Sequence, residues 1–226
     1  MSYRIFLLSP AYCGGERARM LMSGRASFDL ARRLRRPEGA PLGEVFAFLS
    51  GLYFRGKLAY ALTFARPPEG TRGALVITPT AGLLPVEEPV TARTLQRFAE
   101  VAVDSEEPRY RRPLVRDARR LLRAITATAP GDAPSELVLL GSVATEKYVR
   151  PLVEIFGDRL LFPVDFVGRG DMSRGGLMLR SVAAGQELPY VPVIGAVRHG
   201  PRPPRLPRLP RKYDQGGPAG PTEDSG

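Results

Sequence analysis

The chain has 226 residues, 43% of them hydrophobic, which suits one α/β domain plus a tail and excludes a wholly disordered protein. One cysteine, Cys13, and one histidine, His199, exclude a disulfide framework, a cysteine-cluster zinc site and any metal site needing two histidines, and argue against a Ser-His-Asp triad. A formal charge of +10 favours phosphate and anionic surfaces, although thirty arginines against three lysines and no asparagine is also what codon bias in a GC-rich genome produces.

In chain order, the apolar run Arg4 to Ser9, closed by Pro10, predicts a buried strand. A turn at AYCGG leads into a helix from Glu16 to about Met22. Ser27 to Arg36 reads as a basic helix, broken by Pro37 to Pro41. Leu42 to Ala65 reads as one or two buried helices interrupted at Ser50-Gly51, and Pro67 to Gly73 as a loop. A second strand is expected at Ala74 to Thr78. Helices follow at Thr91 to Val103, with Thr91 as its cap, and at Tyr110 to Thr126. A turn at Pro130 to Pro134 leads to a third strand, Leu137 to Leu140. A helix at Thr145 to Phe156 ends at Gly157. A fourth strand is expected at Arg159 to Phe162, a helix at Ser173 to Ala184, and a last strand at Tyr190 to Ile194. This alternation predicts a mainly parallel sheet of four to five strands with helices on both faces, in one domain over residues 1–196. Residues 197–226 are expected to be a disordered Pro/Arg-rich tail.

No run approaches ~18 apolar residues, so no transmembrane helix is expected. The first residues lack the features of a secretory signal, which predicts a cytoplasmic protein with Cys13 reduced. Neither a cofactor nor a metal is expected.

Ligands of open parallel sheets bind beyond the carboxyl ends of the strands. Four loops fall there. In the first, Cys13, Gly14, Gly15 and Arg17 are candidate ligand contacts and Glu16 a candidate acid/base, but a tight turn needs the same small residues. The second, Thr78 to Pro85, offers hydroxyls. In the third, Gly141, Ser142 and Lys147 form a possible rest for an anion or base, or a plain helix cap. The fourth, VGRGDMSRGG, contributes Arg169, Gly170, Ser173, Arg174 and Gly175 as contacts and Asp171 as a second acid/base. Gly175 and Gly176 lie inside a helical pattern, so a ligand or a neighbouring backbone must need their space. The loop is neither a Walker A nor a G-x-G-x-x-G motif.

Arg112, Arg116, Arg119 and Arg123 share one side of their helix, opposite Leu114, Ala118, Leu121, Leu122 and Ile125. That ridge is either a phosphate-backbone surface or a solvated face. In the tail, Arg202, Arg205, Arg208 and Arg211 recur every third residue and would line one side of a polyproline II helix. Such an arm suits nucleic acid, a membrane or a protein partner, or serves as a linker.

The order of motifs resembles the YaaA-type (peroxide-stress) α/β proteins and domains associated with nucleoside modification. The matching segments are Ser9 to Gly15; Leu52, Phe54, Arg55, Ala59, Tyr60 and Ala61; Gly82-Leu83-Leu84; Tyr148 with Pro151-Leu152; and Gly168 to Gly176. The stretch Ser23 to Pro41 is extra. The resemblance implies a cytoplasmic α/β domain connected with nucleic acid or nucleobases, and no settled reaction. Three functions follow. The first is a module that binds a nucleotide, nucleobase or nucleic acid. The second is an enzyme on nucleotides or nucleosides using Glu16 or Asp171. The third is an interaction protein that docks through its tail. The oligomeric state is left open.

Overall fold

The structure is a computed structural model that describes residues 2–128, 135–204 and 206. The expected turn at Pro130 to Pro134 and most of the tail, with Arg205, Arg208 and Arg211, lie outside those residues.

The strands are β1 (Tyr3–Leu8), β2 (Ala40–Pro41), β3 (Ala74–Thr78), β4 (Gly82–Pro85), β5 (Pro89–Val90), β6 (Ser135–Leu140), β7 (Leu160–Pro163) and β8 (Tyr190–Pro192). The helices are α1 (Glu16–Met22), α2 (Asp29–Arg35), α3 (Leu42–Ser50), α4 (Leu52–Phe64), α5 (Ala92–Ala99), α6 (Pro108–Thr128), α7 (Glu146–Phe156) and α8 (Asp171–Ala184). The main sheet runs β4-β3-β1-β6-β7-β8, and β2 pairs separately with β5. The four central strands are parallel and both edge strands antiparallel. The α/β architecture is as expected, with six strands rather than four or five. The extra one is β4, which folds back on β3 as a hairpin. Thr78 Oγ1 ties that turn by accepting from Ala81 N and donating to Gly82 O. The second expected loop is therefore a closed turn, and its Thr78 hydroxyl is buried.

Successive residues of β1 feed opposite cores. Phe6 and Leu8 pack with α1 to α5 and α8, while Ile5 and Leu7 pack with α6 and α7. Both faces are apolar, which explains why the strands do not alternate. The helical run Leu42 to Ala65 breaks at Gly51, whose φ of 62° and ψ of −131° suit glycine alone. Thr91 caps α5 by accepting from Thr94 N.

Gly175 is a packing residue. A Cβ there would lie 2.7 Å from Leu52 O, and one on Gly56 would lie 2.7 Å from Gly175 O. The backbones of α4 and α8 touch at this crossing, so the neighbouring-backbone alternative holds for Gly175. No helix among the described residues is long and apolar enough to cross a membrane.

Candidate functional site

Strand order decides which loops face each other. The chain leaves β1 for one side of the sheet, reaching β3, whereas β6 lies on β1's other side. The connection after β1 (α1 to α4) packs on one face and the connection after β6 (α7) on the other. Their loops diverge, and a cleft opens at such a switch point. A cavity of about 800 Å³ lies there.

The first and third loops meet in this cavity, and the start of α8 closes it. Of the residues singled out in the sequence, Cys13, Gly15, Glu16 and Arg17 line it from the first loop, Ser142 and Lys147 from the third, and Asp171 from the fourth. Tyr12 stands at the rim, 79% exposed, with its ring over Gly14 and Gly15. A Cβ on Gly14 would collide with the Tyr12 hydroxyl at 2.7 Å, so that glycine makes room for the ring.

The other candidates turn elsewhere. Arg174 is buried and donates to the Phe166 carbonyl at 3.2 Å, which makes it a brace of the β7–α8 connection. Arg169 holds Asp165 O at 2.9 Å and Ser173 Oγ at 3.3 Å, so those two satisfy each other outside the cavity. Gly170 precedes α8 in open space, and Gly141 packs against Ser9, where a Cβ would approach to 2.9 Å. Cys13 is unsuited to nucleophilic work: burial pushes its thiol up to about 12, and Sγ donates to Ala11 O.

Three residues that were not site candidates in the sequence stand together here: Ser9 and Tyr53 line the cavity, and Lys57 is buried behind them. Ser9 lies just past β1, and its carbonyl and hydroxyl both accept from Lys57 Nζ, at 2.6 and 2.9 Å. Lys57 sits mid-way along α4 on the apolar face with Tyr53, Tyr60, Ala61 and Phe64, 1% exposed. Its Nζ is 4.4 Å from the Tyr53 ring centre and 4.7 Å from that of Phe54. Those faces favour the cation. Burial outweighs them: desolvation brings Lys57 down to about 7, Arg174 adds to the effect, and Asp171 opposes it from a distance. No carboxylate pairs with Lys57 among the described residues.

The third is Tyr53, which lines the cavity. Its hydroxyl is buried without a well-formed hydrogen bond; the charges of Arg174 and Asp171 act on it, and Arg174 and Ser9 reach it as loose hydrogen-bond partners. Burial pushes this phenol up to about 12, so it stays protonated as a donor. One hint of Lys57 was present in the sequence: a lysine in an arginine-rich chain, set inside the aromatic helix LYFRGKLAYALTF.

A second depression of about 750 Å³ adjoins the cavity and shares Glu100 and Val101 with it. Arg97, Arg109, Arg112 and Arg116 line it. Arg112, Arg116, Arg119 and Arg123 are exposed along α6, with Leu114, Ala118, Leu121 and Ile125 buried behind them. Arg116 pairs with Asp117, whereas Arg112, Arg119 and Arg123 make no ion pair among the described residues. Farther along, Arg198 bonds Glu146 at 2.7 Å, so the chain past residue 196 still rests on the body, and Arg202 is exposed.

No family model, curated protein or solved structure matches the chain. The resemblance to YaaA-type proteins therefore stands on its short motifs alone.

Proposed function

We propose that the protein binds single-stranded nucleic acid or a nucleotide, with one base in the switch-point cavity and the phosphate backbone along the arginine depression. The observation that carries this reading is the continuity of the two hollows. They share a wall, and a solvated tyrosine stands at the mouth of one while arginines line the other. Aromatic rings take any base by stacking, for about 1–3 kcal/mol each. Glu16, Glu100 and Asp171 offer acceptors to ring N–H and amino groups. Phosphates are accommodated outside the cavity, where Arg112 makes no ion pair among the described residues.

The test is fluorescence anisotropy with labelled single-stranded DNA and RNA at two salt concentrations. Tyr12→Ala is expected to weaken binding about tenfold or more at both, since stacking is insensitive to salt. Arg97→Glu with Arg112→Glu is expected to weaken it and flatten the salt dependence. Binding indifferent to all three changes would overturn the reading. Loss only when Arg205, Arg208 and Arg211 become serine would move the interaction to the tail.

A further inference from the structure

We propose that Ser9 is a nucleophile with Lys57 as its base, and that the cavity accepts an acyl compound, an ester, thioester or amide, at the Ser9 hydroxyl. This inference concerns the same cavity as the nucleic-acid reading but stands on Ser9, Lys57 and Tyr53, none of which that reading uses.

The geometry has three parts. The nucleophile lines the cavity at the carboxyl end of the central strand, and its Oγ lies 2.9 Å from Lys57 Nζ. The base is enclosed and no carboxylate bonds it among the described residues: burial and the Arg174 charge disfavour its charged form, Asp171 opposes them from a distance, and the balance leaves its lone pair present near neutral pH. An electrophilic donor is at hand, because the Tyr53 hydroxyl is buried, protonated and without a well-formed bond at the same cavity. A protonated donor beside the nucleophile suits the oxygen that gains charge when a carbonyl is attacked. A lysine that merely tied down a strand end would sit charged against carboxylates, as Arg4 does at the opposite end of β1.

The chemistry balances with water as the second reactant. Ser9 Oγ attacks the carbonyl carbon while its proton passes to neutral Lys57 Nζ. The carbonyl electron pair moves to oxygen, facing the Tyr53 hydroxyl. The pair returns, the bond to the leaving group breaks, and the leaving group takes the proton from Lys57. Water then gives a proton to Lys57 and attacks the acyl-serine. When that intermediate collapses, Ser9 leaves and recovers the proton from Lys57. The net change is hydrolysis of the acyl compound to a carboxylic acid and the protonated leaving group.

The experiment treats the full chain with a fluorophosphonate, whose phosphorus is attacked by a serine oxygen with loss of fluoride. Adducts are read by intact mass and mapped by peptide. One adduct on Ser9 is expected, with a rate that rises about tenfold per pH unit and levels off above pH 7. Ser9→Ala removes it. Lys57→Met slows it by 10²-fold or more with the fold retained by thermal unfolding. Tyr53→Phe slows it about tenfold without moving the pH midpoint. Wild-type protein left unlabelled at Ser9, or a Lys57→Met variant labelled at the wild-type rate, would overturn the proposal. Should Lys57→Met fail to fold, the wild-type profile decides, because a rate independent of pH between 5 and 9 is equally fatal.

Discussion

The two ends of β1 each bury a basic side chain, and the protein treats them in opposite ways. At the amino end, Arg4 is 8% exposed and stacks on Tyr190, with its guanidinium 4.7 Å from the ring centre. Its charge is met by Glu136 and Glu187, and Arg66 extends the cluster by bonding Glu187 at 2.9 Å. Burial lowers the Arg4 pKa, yet the hydrogen bonds and charges of the two glutamates outweigh it and leave it raised. At the carboxyl end, Lys57 also lies against aromatic rings but receives only the oxygens of Ser9. One buried side chain closes a structural network far from the cavity. The other bonds no carboxylate among the described residues and lies behind Ser9 and Tyr53 of the cavity wall, at the sheet edge where ligands of such folds bind.

The difference can be broken from either end. Arg4→Met is expected to cost the most, about 3 kcal/mol or more by urea unfolding at pH 7, because it leaves Glu136 and Glu187 facing each other partly buried. Next, Gly175→Ala is expected to cost about 1–3 kcal/mol, since the added Cβ would press on Leu52 O and Tyr53 Cα and force apart the helices that frame Lys57. The control change Gly24→Ala, into open space outside any helix, should stay within about 0.5 kcal/mol in the same assay.

Both pH dependences should have the same sign, in windows far apart, because both groups are lowered on folding. Glu187 is stabilised as a carboxylate: burial raises its pKa, but bonds from Arg4 and Arg66 outweigh that and bring it below its ordinary 4.5. Its contribution is complete above pH 4.5 and is lost as pH falls through the lowered folded value. Lys57 is depressed from its ordinary 10.5 to about 7. Between those values the folded chain holds fewer protons than the unfolded one, so its stability rises with pH. Lys57→Met should therefore compare best with wild type below pH 7 and lose ground towards pH 10, by on the order of 1–3 kcal/mol. Unfolding curves of both proteins from pH 6 to 10 check the sign.

How much of this was legible depended on range along the chain. The apolar runs of β1, β3 and β6, the Gly51 break and the amphipathic α6 are local patterns, and the sequence showed them. β4 was hidden because Gly82 to Pro85 is short and looks like a turn. Strand order is not local, so nothing in the first and third loops indicated that they share a cavity. The fourth loop looked the richest, but Gly175 serves a helix crossing and Arg174 a carbonyl, because backbone packing and ligand approach select the same residues. Lys57 and Tyr53 lay inside an apolar helical stripe, where a buried lysine bonded to serine oxygens becomes visible only once its surroundings are known.

The most direct measurement is a ¹³Cε-lysine NMR titration of the full chain, in which three lysines give few signals and Lys57→Arg assigns one of them. A Lys57 signal that titrates near pH 7, and loses that behaviour when Ser9 carries a phosphonyl group, is the expected result. A midpoint near 10.5 would mean that the buried ammonium stays charged at neutral pH and is no base for Ser9.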